Sequence, residues 1–158
     1  MTQQSRSLDR IDAKIIKLLQ RDGRISWSRL GRKVNLSASA AQRRVESLVA
    51  RGVIHNFTIN VNESALGNTV KAFVAVNVER KSTDEAEAFR RRVRVLPQVL
   101  ACHMVSGSID FILEIVAKDL NEFGRFIDSE LLNLPAVKDA SSSFVLQVVK
   151  SKEIVTDH

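Results

Sequence analysis

Residues 26–52 read SWSRLGRKVNLSASAAQRRVESLVARG. Ser26 and Ser37 each stand just before a stretch whose apolar residues recur three or four apart. A serine placed there accepts a hydrogen bond from an otherwise unpaired N–H of a first helical turn, so each serine predicts a helix start. The first of these helices turns Leu30 and Val34 inward, and the second Ala41, Val45 and Leu48. Between them Asn35 and Leu36 leave room only for a tight turn, and the second helix closes near Arg51 and Gly52.

Upstream, Leu8, Ile11, Ile15, Leu18 and Leu19 give the same periodicity over 9–21, with Asp9 as N-cap and Asp22, Gly23 and Arg24 as the stop. Downstream, residues 54–61 alternate polar and apolar, which reads as a strand. Three short helices with a tight turn between the last two, then a strand, predict a winged-type helix-turn-helix domain over 1–52. A strand and hinge linker is expected at 53–68.

Charge points to a partner for this part. Residues 1–68 hold 12 Lys+Arg against 5 Asp+Glu, a net of +7, while residues 69–158 hold 12 against 13, a net of −1. A basic surface confined to one part favours a polyanion, here double-stranded DNA. On the third helix Ser39 and Arg43 point away from the apolar stripe, with Gln42, Arg44 and Glu46 on its flanks. Arg43 can read guanine and Gln42 adenine through bidentate bonds. Arg29, Arg32, Lys33 and Arg51 suit phosphates, which position without reading sequence. Ser26, Ser37 and Arg44 complete the expected DNA-binding set. Glu46 is expected to pair with a neighbouring arginine, and Trp27 to pack within the small domain.

From Thr69 the order changes. Residues 70–78, VKAFVAVNV, read as a strand with apolar side chains on both faces. Ser82, Thr83, Asp84 and Glu85 form a capping box that opens a helix with Ala86, Phe89, Val93 and Leu96 inside. Residues 99–105 and 109–117 read as two strands around a Ser-Gly-Ser turn, and Asp110 falls inside the second. Asp119 and Glu122 open a helix with Leu120, Phe123, Ile127, Leu131 and Leu134 inside, and residues 143–150 read as the last strand. This β-α-β-β-α-β order predicts a ferredoxin-like domain over 69–158, so the fold class is α+β. Helices cover one sheet face only, and the other face needs a partner, which favours sheet-to-sheet dimerisation.

Other classes find no support. No apolar stretch approaches the roughly 20 residues of a membrane helix, and MTQQSRSLDR has no secretory h-region, so a cytoplasmic location is expected. Cys102 and His103 are adjacent on a strand and point to opposite faces, so no metal site is expected. Arg90, Arg91, Arg92 and Arg94 read as a solvated face offset by Asp84, Glu85 and Glu87. Neither a phosphate-cradling glycine loop nor a nucleophile-base-acid set is visible, so no cofactor and no enzyme activity are expected.

The first part resembles the N-terminal half of the Lrp/AsnC (feast/famine) transcriptional regulators. The shared pattern L-D-x-x-D-x-x-I-L-x-x-L-Q-x-D-G-R-x-S is met by Leu8, Asp9, Asp12, Ile15, Leu19, Asp22, Gly23, Arg24 and Ser26. A second shared segment is met by Leu36, Ser37, Ser39, Arg44, Leu48, Gly52 and Ile54. Ala38 stands where the family often has proline, and Gly31 where it usually has alanine. The β-α-β-β-α-β order matches the family's effector and assembly domain.

That resemblance implies a homodimer assembling to a tetramer or octamer, and a small-molecule effector, an amino acid, held where dimers meet. It implies an effector-binding set of Met104, Ser106, Gly107, Ser108, Asp110 and Ser142. Glycine lets backbone approach a ligand, exposed N–H groups can receive an α-carboxylate, and Asp110 can hold an α-ammonium. Ser108 replaces the family's usual acid and Ile109 its usual aromatic. The plainer reading of the turn is a β-hairpin in which Asp110 caps its own turn. The rival function is an architectural protein that coats DNA without an effector.

Overall fold

The computed structural model describes residues 8–79 and 83–150. These fall into two compact units, the first taking the described residues up to Asn60 together with Lys150 and the second running Val61–Val149. The outer ends of both expected domains lie outside the described residues.

The first unit holds α1 (Arg10–Arg21), α2 (Trp27–Val34) and α3 (Ala38–Ala50). Each starts at the cap its sequence announces. Asp9 accepts from the Asp12 N–H at 2.7 Å, Ser26 from Arg29 at 3.3 Å and Ser37 from Ala40 at 3.1 Å. Ile15, Leu30, Val34, Ala41, Val45 and Leu48 form the buried core, one small cluster shared by all three helices.

The turn between α2 and α3 is made by Asn35 in the left-handed region (φ 57°), a conformation asparagine tolerates. It brings chain onto Gly31 so closely that a Cβ there would sit 2.6 Å from the Leu36 carbonyl oxygen. The strand expected at 54–61 is not formed: none of these residues joins a ladder among the described residues. Alternation alone does not make a strand, because the backbone needs a neighbour to pair with. Phe57 and Ile59 remain exposed, Ile59 at 79%.

The second unit holds β1 (Val70–Val78), α4 (Thr83–Val93), β2 (Val99–Met104), β3 (Phe111–Ala117), α5 (Leu120–Phe126) and β4 (Val137–Phe144). The sheet is antiparallel in the order β2-β3-β1-β4, the ferredoxin-like arrangement. Its core joins Val74, Val76, Leu113 and Ile115 of the sheet to Phe89 of α4 and Phe123, Phe126 and Leu131 of the α5 region. On the other face Phe73 is 45% exposed, flanked by the Lys71–Glu114 ion pair and by an Asn77–Asp139 hydrogen bond of 2.9 Å. Val116, opposite Lys71 on the same face, is buried.

Four details differ from the sequence reading. The last strand is β4, six residues earlier than expected at its start. It lies along β1 from Ala72↔Phe144 to Val78↔Val137. An edge strand needs backbone pairing more than apolar side chains, so the polar run KDASSSF takes the position and Leu146 is left 97% exposed. Leu120 is 63% exposed, not inside. A single π turn, Ile127–Leu131, follows α5 and re-phases the chain, so that Leu131 joins Phe123 and Phe126 on the buried side. Asp110 sits in a bend just before β3 and not within it. Ser82 of the expected capping box lies outside the described residues, as does the side chain of Ala86. Asp84 and Glu85 do occupy the first turn of α4.

Candidate nucleic-acid interface and effector loop

The outer side of α3 presents Ser39, Gln42, Arg43 and Glu46, all exposed, because Ala41, Val45 and Leu48 take the inner side. Among the described residues Glu46 pairs with no arginine, contrary to expectation. It accepts a 2.9 Å hydrogen bond from Gln42 Nε2, one helical turn away. That bond pre-orients the amide of Gln42. Ser37 and Ser39 share a hydroxyl-to-hydroxyl bond of 3.2 Å at the start of the helix. No acid among the described residues pairs with Arg43. On α2, Arg32 and Lys33 are exposed in the last turn, and Arg29 lies a loose 3.9 Å from Asp22. Trp27, expected to pack inward, is 39% exposed beside Ser26.

Two members of the expected DNA-binding set are placed differently. Arg44 Nη1 donates to Asp9 Oδ2 at 2.6 Å and to Asp12 Oδ1 at 2.7 Å. Arg51 Nη1 reaches Asp12 Oδ2 at 3.5 Å. Asp12, 6% exposed, is the one buried charged residue among the described residues. The Asp12 N–H, and then Arg44, hold the Asp9 carboxyl below its ordinary value, and Asp9, then Asp12, hold the Arg44 guanidinium above its own. The sequence reading missed this pair of acids as partners. The signal was available, since Asp9 and Asp12 stand three apart and therefore share one side of α1.

In the second unit Met104 ends β2, and Ser106, Gly107, Ser108 and Asp110 follow in the connection to β3. Gly107 has φ +121°, where a side chain would be strained. The Val105 N–H donates to the Asp110 carbonyl at 3.0 Å, and the Asp110 N–H to the Val76 carbonyl at 3.2 Å. Asp110 Oδ2 accepts from the Val78 N–H at 3.1 Å. The carboxylate thus ties the bend to the end of β1. No sequence signal marked Val78, which lies 32 residues away. Ser142 is not brought to this bend. It lies on β4 opposite Val74, on the far side of β1 from Asp110 and about three residues further along that strand, two strand spacings across the sheet. A groove of about 440 Å³ between α4 and β2, lined by Arg90, Val93, Arg94, Leu100, Cys102 and Phe111 among others, shares only Met104 with the expected effector set. No cluster of metal-ligating side chains and no helix long and apolar enough to cross a membrane occurs among the described residues.

Residues 8–49 match the AsnC-type helix-turn-helix domain, and residues 71–155 match the Lrp/AsnC ligand binding domain. The chain is 36% identical to the Bkd operon transcriptional regulator of Pseudomonas aeruginosa, over 90% of this chain and 93% of that protein. It is 34% identical to the leucine-responsive regulatory protein of Escherichia coli K12, over 92% and 88%. A solved transcriptional regulator from Neisseria meningitidis, in complex with L-Met, superposes with a TM-score of 0.88 at 34% identity, covering 94% of this chain and 96% of that one. The feast or famine regulatory protein from M. tuberculosis, complexed with L-methionine, gives 0.85 at 26% identity, over 92% and 97%. The chain belongs to the Lrp/AsnC family of transcriptional regulators.

Proposed function

We propose that α3 reads a DNA major groove through Ser39, Gln42 and Arg43, while Ser26, Arg29, Arg32, Lys33 and Ser37 hold phosphates, and that an amino acid governs the assembly presenting these helices. The observation that carries the reading is Arg43, an exposed guanidinium without an acid partner among the described residues, beside a glutamine amide already oriented by Glu46. Bidentate readers of this kind confer sequence preference. Selection from random duplexes, followed by footprinting at the winning sites, tests it. A palindromic consensus with discrete, phased protection is expected. Uniform coverage without a consensus would overturn it in favour of a DNA-coating architectural role.

For the effector, the bend at Ser106, Gly107 and Ser108 offers backbone N–H groups to a carboxylate, and Asp110 offers negative charge to an ammonium. A carboxylate has several lone-pair sites, so the Val78 bond and a ligand bond are compatible. Ser142 lies two strands across from its own chain's bend, and in this reading it serves the bend of a second copy. Relatives solved with L-Met support this class of ligand. Calorimetric titration with the common amino acids tests it, and silence with all of them at millimolar concentration would overturn it.

The half-exposed Phe73 on the sheet face away from the helices supports dimerisation, with tetramers or octamers built from dimers. Phe73→Asp is expected to yield monomers by light scattering, and an unchanged mass would exclude this face. The same reading makes the protein a cytoplasmic regulator without catalytic activity or cofactor.

A further inference from the structure

The sequence counts Arg44 and Arg51 among the cations of a basic DNA-binding head, yet both are turned onto the start of α1. Arg44 Nη1 lies within 2.7 Å of both Asp9 and Asp12, and Arg51 shares Asp12. The acids are also fixed by α1 itself. Asp9 is the N-cap of α1 and accepts the Asp12 N–H at 2.7 Å, and Asp12 lies in the first helical turn. The positive end of the helix dipole favours negative charge in both positions. Two carboxylates and two guanidiniums make a locally neutral patch, with Asp12 nearly buried in it.

A DNA phosphate that recruited either arginine would have to displace a partner tethered in the same unit, which acts at high effective concentration. It would also strand a buried carboxylate, an expensive arrangement. The patch has a geometric effect as well. Arg44 is the sequence neighbour of Arg43, so the two side chains stand about 100° apart around α3. Clasping Arg44 to α1 therefore fixes the rotation of α3 and the direction in which Arg43 points.

We infer that Asp9 and Asp12 withhold Arg44 and Arg51 from DNA, keeping sequence-independent affinity low and aiming the reading side of α3. Arg44 is thus a positioning residue and not a phosphate contact. The inference rests on the DNA-binding reading above.

The test uses the full chain and fluorescence anisotropy on one selected and one unselected duplex across a salt series. Each phosphate contact contributes about 0.9 to the slope of log K against log salt. Arg44→Ala is expected to leave the slope on unselected DNA unchanged while lowering the preference for the selected duplex. Asp12→Asn, which releases a cation, is expected to steepen that slope by about one unit. Asp9→Asn retains a good N-cap and is expected to steepen it in the same direction, and it serves if the Asp12 variant fails to fold by circular dichroism. An Arg44→Ala slope flatter by one unit, or an Asp9→Asn slope equal to wild type, would overturn the inference while leaving DNA binding intact. A wild-type chain that binds neither duplex would instead overturn the DNA-binding reading itself.

Discussion

Asp110 and Val78 meet across the second unit, carboxylate Oδ2 to backbone N–H at 3.1 Å, so one acid both shapes the bend before β3 and finishes β1. Removing the carboxylate leaves a part-buried N–H without its acceptor, and Asp110→Ala is expected to cost about 1–3 kcal/mol in urea unfolding. Asp110→Asn keeps an oxygen acceptor and loses only the charge. It is expected to recover most of that stability while still failing to bind an amino acid in calorimetry. Equal melting of the alanine variant and wild type would show the bond to be dispensable.

Gly31 has no space for a methyl group. Its Cβ would stand 2.6 Å from the Leu36 carbonyl oxygen and 3.0 Å from that of Ser37, both backbone. Gly31→Ala must push α3 away from α2, at a cost typical of overpacking, about 1–3 kcal/mol. The denaturation midpoint is expected to fall. An unchanged midpoint would mean the turn yields freely.

Acid pH reports on the α1 patch. The folded-state value of Asp9 lies below its ordinary 3.8, so its ionised form stabilises the fold above that value. This contribution is lost as pH falls through the lowered folded value. The melting temperature of wild type is expected to drop more steeply than that of Asp9→Asn below about pH 4. Parallel curves would argue against the Asp12 N–H and Arg44 contacts of Asp9 in solution.

Arg43 and Lys33 are expected to separate reading from holding. Arg43→Ala should lose about 1–3 kcal/mol of discrimination between selected and unselected duplexes. Lys33→Ala should weaken both and flatten the salt slope by about one unit. Anisotropy titrations distinguish the two, and an Arg43 variant with undiminished preference would reassign the reader.

The helices were the most legible part of this chain, since Asp9, Ser26 and Ser37 are caps whose chemistry acts within three residues. The strand at residues 70–78 was equally plain, being apolar and central. Where placement depends on a distant partner, local pattern failed. Residues 54–61 alternate but have nothing to pair with among the described residues, while β4 is polar yet forms because β1 lies beside it. At the candidate sites, residue types were readable but engagements were not. Arg44 looks like any other basic residue of α3 until Asp9 and Asp12 are seen to hold it. Asp110 reads as a hairpin acid until Val78 appears across the fold.

The backbone at Gly107, with φ +121°, restricts how a lineage of such proteins can drift. Any replacement there strains the bend, whereas Ser106, Ser108 and Ile109 can be exchanged without bending the chain anew. Descendants that come to prefer a different metabolite would therefore be expected to differ on either side of this glycine and to retain the glycine itself.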